Sequence, residues 1–370
     1  MPVTVVVGGQ FGSEGKGKVV ALCALREEEP WVVRCGGPNS GHTVTLQERS
    51  LGLRQVPSGV VNPKARLALA AGCAVDVDVL LSEMSNLRLP RDRVVVDPRA
   101  VLVTAADRHR EEAIVATIGS TGTGTGAALA RRQARGSNVE LAGDSHHLAQ
   151  HVRVEPVAPL LHGHIDKGGS VLIEGTQGFG LSLLHGPSYP YCTSRDTTAA
   201  GFVMEVGLSP RQIDEVIMVI RTFPIRVGGN SGPLTDELTW EDIQRIAGEP
   251  HVRPEYTTVT NRLRRIGHFD TGLVRQACLY NRPTSLAVMG LDRLDFRCHS
   301  ARNADQLTSK GLAFLHRLEE VTEVRVEFAG TGFGTFDVVE FPSKVSRWSS
   351  RHPCAAEAGH CGSTAESCVR

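Results

Sequence analysis

The sequence predicts an α/β protein built on a large, mostly parallel central sheet flanked by helices. Three observations carry this: short β-branched runs recur along the chain, segments of helical periodicity lie between them, and glycine-rich or polar loops follow several runs. The runs are residues 3–7, 31–33, 67–70, 94–96, 171–173, 216–220 and 285–289. Helices are expected at 16–25, 77–87 and 271–279, where apolar residues recur at three or four positions. A last strand is expected at 321–328, ahead of a Gly-Thr-Gly-Phe-Gly turn. Such sheets gather ligands beyond the C-terminal strand ends, so the loops 8–17, 36–43, 119–126 and 175–191 are the expected site-forming segments.

With 370 residues, 41% of them hydrophobic, the chain can bury a large core. We read 1–341 as one domain. Residues 342–370, poor in aliphatics and rich in Ser, Ala, Cys and His, read as a flexible tail. Its Cys354, His360, Cys361 and Cys368 match no standard zinc spacing. Forty basic residues balance forty acidic ones, which leaves no bulk field for a nucleic acid. No apolar run approaches a membrane span, and the chain opens directly on an apolar strand without a charged leader, so a cytoplasmic protein is expected. Its single cysteines, such as Cys73 and Cys278, read as buried thiols.

The loops carry chemistry. Gly8-Gly-Gln-Phe-Gly-Ser-Glu-Gly-Lys-Gly-Lys18 joins a buried strand to a helix, so its N–H groups can gather around phosphate, with Lys16 or Lys18 adding charge. It is not a Walker A loop, because five residues separate Gly9 from Gly15 and no hydroxyl residue follows Lys16. In Gly36-Gly-Pro-Asn-Ser-Gly-His-Thr43, His42 is a candidate acid or phosphate partner. Residues 118–126, with Arg131, Arg132 and Arg135 downstream, offer hydroxyls, N–H groups and guanidinium to a monoester phosphate. Glu174-Gly-Thr-Gln-Gly178 ends a strand in a carboxylate and an amide. Tyr256 to Arg265 combines hydroxyls with three arginines in a receptor suited to a small carboxylate.

In order and local spacing, these segments resemble the adenylosuccinate synthetase family from Val5 to about Gly332. The first loop resembles that family's Gly-Asp-Glu-Gly-Lys-Gly-Lys signature, and Gly37-Pro-Asn-Ser-Gly-His-Thr43 its Gly-His-Asn-Ala-Gly-His-Thr. Tyr189-Pro-Tyr-Cys-Thr-Ser194 and Leu291-Asp-Arg-Leu-Asp295 are further matches. The resemblance implies a P-loop-related fold and a two-step ligation. A triphosphate first phosphorylates the purine 6-oxygen, and the amino group of aspartate then displaces that phosphate.

Roles carry over by position. The resemblance makes Ser13, Lys16, His42 and Gln177 catalytic positions, with Gln177 bonded to the transferring phosphoryl group or its histidine and to the base. Ser13, Glu14, Asn39, Thr121, Gln177, Thr193 and Arg262 match nucleotide positions, and Arg135 matches an arginine supplied by the second subunit of a homodimer. Thr258, Val259, Thr260, Arg262 and Arg264 match the aspartate loop. Gly12, Gly15, Lys16, Gly17, Lys18, Gly41, His42, Thr43, Asp292, Thr331 and Gly332 match triphosphate positions, and Ser13 and Gly41 those of the magnesium ligands.

Three departures stand out. Ser13 replaces the family's loop aspartate, which serves as base and metal ligand; a serine is no base at neutral pH and a poor metal ligand. The smaller, uncharged side chain suits a purine with a 2-amino group, as in the viral branch that acts on dGMP for diaminopurine DNA. Gly290 replaces a lysine that grips the guanine of GTP, so ATP or dATP is the expected donor. The chain is also shorter than the usual synthetase. An ordinary synthetase acting on IMP and a silent nucleotide-binding relative remain as alternatives.

Overall fold

A computed structural model describes residues 3–46, 49–257 and 261–341; the expected tail lies outside these. Ten strands form one sheet: β1 (Val3–Gly8), β2 (Trp31–Arg34), β3 (Arg66–Leu69), β4 (Val94–Val96), β5 (Arg153–Val154), β6 (Val171–Glu174), β7 (Ile213–Arg221), β8 (Ser285–Met289), β9 (Val326–Gly330) and β10 (Val338–Glu340). Across the sheet they run β10-β9-β8-β7-β1-β6-β2-β3-β4-β5. All neighbours are parallel except β9 and the edge strand β10.

Valine runs suit this place because a parallel strand covered on both faces needs apolar side chains at every position. All six residues of β1 are buried, with Val5 opposite Ile173 on one side and Val216 on the other. From β1 the chain builds outward through β2 to β5, returns to β6, and crosses to β7 on the other flank. The direction of building therefore reverses around β1. Loops leaving the C-terminal ends of β1, β6 and β7 diverge there and open a crevice.

Four helices bear on the site. α1 (Lys16–Arg26) is buried from Lys16 to Ala24. α2 (Val77–Asn86) starts on Asp76, whose carboxylate accepts from Val79 N. α3 (Ala105–Ile118) opens with a Thr104/Asp107 capping box, and α4 (Thr125–Gln133) follows the third glycine loop. A smaller sheet of Ile225–Arg226, Arg265–Gly267 and Glu237–Leu238 covers its own core of Phe223, Trp240, Ile243 and Ile266.

Two expectations change. The strand expected at 321–328 begins at Val326, because Val321 and Thr322 complete the helix Ser309–Thr322, and it is not the last, since β10 follows the glycine turn. Thr322 Oγ1 donates to Leu318 O one turn back, and Glu323, at φ 56, ends the helix in the left-handed region. Residues 42 and 43 also stand on a hairpin strand, His42–Leu46, paired with Arg49–Leu53. That strand gives His42 a fixed backbone.

Candidate active site

Three strands that bound or neighbour the crevice end in buried charge: Arg34 on β2, Glu174 on β6 and Arg221 on β7. Glu174 is the hub. It accepts from Ser58 N at 2.7 Å, Ser58 Oγ at 2.6 Å and Arg34 Nη1 at 3.2 Å, and pairs with His42 Nδ1. Pairing with a carboxylate assigns the proton to Nδ1, so Arg34 Nη1, 3.3 Å away, is a neighbour of that nitrogen and not its donor. His42 Nε2 is buried with no hydrogen-bond partner among the described residues.

Burial, reinforced by Arg34, lowers the His42 pKa to about 4 against the pull of Glu174. Burial alone would raise Glu174, but His42, Arg34 and Ser58 outweigh it and hold the carboxyl at about 2. The pair is thus a neutral imidazole on an ionised carboxylate.

The first loop curls through left-handed positions at Gly12 (φ 85), Ser13 (φ 56) and Gly15 (φ 106). Glu14 folds back into it, accepting from Gln10 N at 3.1 Å and Gly12 N at 2.8 Å and pairing with Lys16 Nζ at 2.5 Å. Lys16 also donates to Gln177 O. A Cβ at Gly8 would lie 2.6 Å from the Glu14 carboxylate and one at Gly178 only 2.2 Å, so these two glycines make its room. Two of the N–H groups expected to meet phosphate therefore serve Glu14. Lys18 Nζ donates to Gly332 O at 2.9 Å and Asp337 O at 2.7 Å. Burial, resisted by Asp337 and Asp292, drops its pKa to about 8.

Two cavities meet over this loop. The smaller, about 440 Å³, is lined by Gly12, Asn39, Thr121, Gln177 and Thr193 among others. The larger, about 660 Å³, is lined by Glu14, Gly15, Lys16, Gly17, Lys18, His42, Thr43, Asp292 and Gly332 among others. Ser13, Gly41 and Arg264 line both and mark the junction. Arg221 fixes Ser13 there: it forks onto Glu255 at 3.1 and 2.6 Å, while its Nη1 donates to Ser13 O at 3.2 Å.

Most positions carried over from the resemblance come together at these cavities, with exceptions. Glu14 lines the larger cavity, apart from Asn39, Thr121, Gln177 and Thr193, and Gly12 lines the smaller, apart from Gly15, Lys16, Gly17 and Lys18. Thr331 lies beneath the turn, donating to Ala301 O at 2.7 Å, and lines neither. Arg135 and Arg262 are exposed and line neither cavity. Thr258, Val259 and Thr260 lie outside the described residues. The partner of His42 is Glu174, where sequence reasoning looked to Gln177. Glu174, Arg34 and Arg221 shared one legible signal: a charged residue closing an apolar strand.

Magnesium takes hard oxygen donors and keeps several waters beside substrate phosphates. Ser13 and Gly41 offer a hydroxyl and a carbonyl at the junction, while the nearby Glu14 carboxylate is committed to Lys16 and loop amides. This donor set fits a magnesium ion held mainly by substrate oxygens and water.

The adenylosuccinate synthetase family model matches residues 5–150 and 140–297. Adenylosuccinate synthetase of Methanococcus aeolicus is 40% identical over 338 residues, 90% of this chain and 97% of that protein. That of Pyrococcus horikoshii is 38% identical over 338 residues, 90% and 96%. These relatives are covered almost end to end, so shortness is shared with them and does not set this chain apart. Among solved structures, fully ligated adenylosuccinate synthetase from Plasmodium falciparum superposes with a TM-score of 0.82 at 19% identity, over 92% of this chain and all of that one. The succinoaminodeoxyadenylate synthetase of cyanophage S-2L, solved with dGMP and with dATP as energy donor, gives 0.77 at 28% identity, over 92% and 96%. The ten-stranded sheet, the motifs on its C-terminal edge and these matches place the chain in the adenylosuccinate synthetase family, ligases that form a carbon–nitrogen bond between aspartate and a purine nucleotide.

Proposed function

We propose that this protein ligates L-aspartate to dGMP, using ATP or dATP, and releases succino-2-amino-2′-deoxyadenylate, phosphate and the nucleoside diphosphate. The observation that carries this reading is Ser13. It stands at the junction of the two cavities, where the resemblance predicts an aspartate, and its carbonyl is held by Arg221. A small uncharged side chain there leaves room for a 2-amino group. The likeness to the cyanophage S-2L enzyme supports the same substrate.

In this reading dGMP fills the smaller cavity and the triphosphate the larger, so their reacting ends meet at Ser13, Gly41 and Arg264. The γ-phosphoryl group passes to the purine 6-oxygen as its bond to the departing diphosphate breaks, and the N1 proton of the base goes to solvent. The aspartate nitrogen then bonds to C6 as the C6–O bond breaks and phosphate leaves, the excess ammonium protons passing to phosphate and solvent. Glu174 stabilises the imidazolium formed when His42 Nε2 takes up a proton, and that imidazolium gives a hydrogen bond to the moving phosphoryl group. Lys16 adds charge to the same transfer, Gln177 contacts the base, and Arg264, with Arg262 and 258–260, receives the aspartate carboxylates. Magnesium, when bound, neutralises charge on the phosphate oxygens, with Ser13 and Gly41 as its protein ligands. Arg135 completes the site of the second subunit in a homodimer.

Donor choice follows from Gly290. Its φ of 86 and a Cβ position 3.0 Å from Thr222 Oγ1 disfavour any side chain. Phe296 and His299, stacked at 4.7 Å with an interplanar angle of 8°, line the same cavity and offer a flat purine a face without a lysine clamp.

Purified protein given aspartate, magnesium and ATP is expected to turn over dGMP and not IMP, followed by ADP and succinylated product. Turnover of IMP alone makes it an ordinary synthetase, the reading that its 40% identity to an archaeal synthetase favours. Turnover of neither marks a silent nucleotide-binding relative.

Lys18 gives a pH dependence. Its folded pKa of about 8 lies below its ordinary value of 10.5, so the free protein loses this charge as pH rises through 8. kcat/KM for the triphosphate is expected to fall above about pH 8 while kcat holds, because a bound polyanion retains the proton. Lys18→Arg should flatten that fall. The stability sign is opposite: between 8 and 10.5 the unfolded chain binds more protons, so stability rises with pH there.

A further inference from the structure

Glu111 belongs to none of the motifs that define the site, yet it lines the smaller cavity while only 5% exposed. From α3 its carboxylate reaches the start of α4. Oε2 accepts from Gly124 N at 2.7 Å, and Oε1 from Gly126 N at 2.5 Å and Ala127 N at 3.2 Å. These N–H groups belong to the set that a helix leaves unpaired at its amino end, where the dipole also favours an anion. They are the groups that sequence reasoning offered to a nucleotide phosphate. The loop thus carries its own anion before any ligand arrives.

The rest of the loop is built around that anchor. Gly119, Gly122 and Gly124 take left-handed φ values of 68, 65 and 79, and a Cβ on Gly126 would lie 3.1 Å from Glu111 Oε1. The hydroxyls of Thr121, Thr123 and Thr125 form a ladder with steps of 3.4 and 3.0 Å, and Thr121 and Ser120 line the cavity. A cradle of three N–H groups saturated by one carboxylate has no donors left for a phosphate, which the carboxylate also repels. Ser120 and Thr121, which line the cavity, are the part of the loop that remains to meet a ligand phosphate.

We propose that Glu111 is a positioning residue for the nucleotide: it fills the cradle at the start of α4 as a resident anion and sets the loop so that Ser120 and Thr121 receive the phosphate. This rests on the nucleotide occupying the smaller cavity. The test measures nucleotide Kd and kcat on the full chain, with whichever of dGMP or IMP the wild-type protein binds. Preference for IMP refutes the dGMP reading and leaves Glu111 testable, whereas binding of neither overturns both.

Glu111→Ala is expected to weaken nucleotide binding by roughly tenfold, the size of a lost charge-assisted contact, with kcat within about twofold. Excess formate should refill the vacated cradle and restore most of the affinity. It should leave the wild type and Glu111→Gln unchanged, since glutamine still fills the space. Unchanged or tighter binding by Glu111→Ala overturns the proposal, because the cradle then takes the phosphate itself. A loss that formate does not reverse also overturns it, leaving a purely structural carboxylate. If the alanine chain does not fold, Glu111→Gln decides. It turns one acceptor into a donor facing an N–H, so Kd should rise by roughly threefold or more at an unchanged unfolding midpoint. An unchanged Kd overturns the proposal.

Discussion

Replacing Glu174 with glutamine is expected to lower kcat by roughly 10³- to 10⁴-fold, the range seen when a carboxylate that orients a working imidazole is neutralised. The carboxylate holds the His42 proton on Nδ1 and leaves Nε2 for the reacting groups. An amide offers either an oxygen or an N–H₂ to that nitrogen, and a donating amide forces the wrong tautomer. Nucleotide KM should change little, because neither Glu174 nor His42 lines the smaller cavity. His42→Asn should cost a similar factor, and the double variant should be scarcely worse, since the two act as one unit. Single-turnover rates measure this directly; a Glu174→Gln chain within tenfold of wild type sinks the assignment. A stability cost comes with it. Arg34, 2% exposed, loses its buried carboxylate partner, and breaking such a pair costs about 3–5 kcal/mol, so urea unfolding should be run alongside.

Ser13→Asp carries the second large effect. Restoring the carboxylate is expected to cut kcat/KM for dGMP by roughly a hundredfold, the order of a crowding penalty of about 1–3 kcal/mol. It should also raise turnover of IMP, whose C2 carries no amino group. The backbone tolerates the change: Ser13 sits at φ 56, a region that aspartate enters more readily than most residues, and Arg221 grips its carbonyl and not its side chain. Competing dGMP against IMP in one reaction gives the specificity ratio. If Ser13→Asp turns over dGMP as well as wild type does, Ser13 is not the selector and the dGMP reading loses its main support.

Much of the architecture was legible because parallel strands need unbroken apolar runs. Every predicted strand from 3–7 to 285–289 lies in the central sheet. The failure at 321–328 had a local cause. Val321 and Thr322 favour strands by propensity, yet the preceding turn with Leu315 and Leu318 carried the helix through them.

The glycine loops were found because left-handed backbone needs glycine, and that need is written residue by residue. Their polar partners were not, because a hydrogen bond across the fold leaves no mark on local spacing. Glu174 and His42 are 132 residues apart, and so local a signature as Gly-Thr-Gln pointed to the neighbouring amide. Glu111 and Glu14 show the same limit. N–H groups that looked free for phosphate in the sequence are occupied by carboxylates in the fold.

The sequence by itself determined the sheet, the loops on its C-terminal edge, the family resemblance and the substitution at Ser13, since each is a matter of residue type and short-range order. Only the tertiary structure decided that Ser13 lies where two cavities meet, that His42 is neutral on Glu174, and that the glycine loop before α4 is anchored by Glu111. Those facts depend on which distant groups burial brings within about 3 Å of one another, where a charge must find a partner or be neutralised.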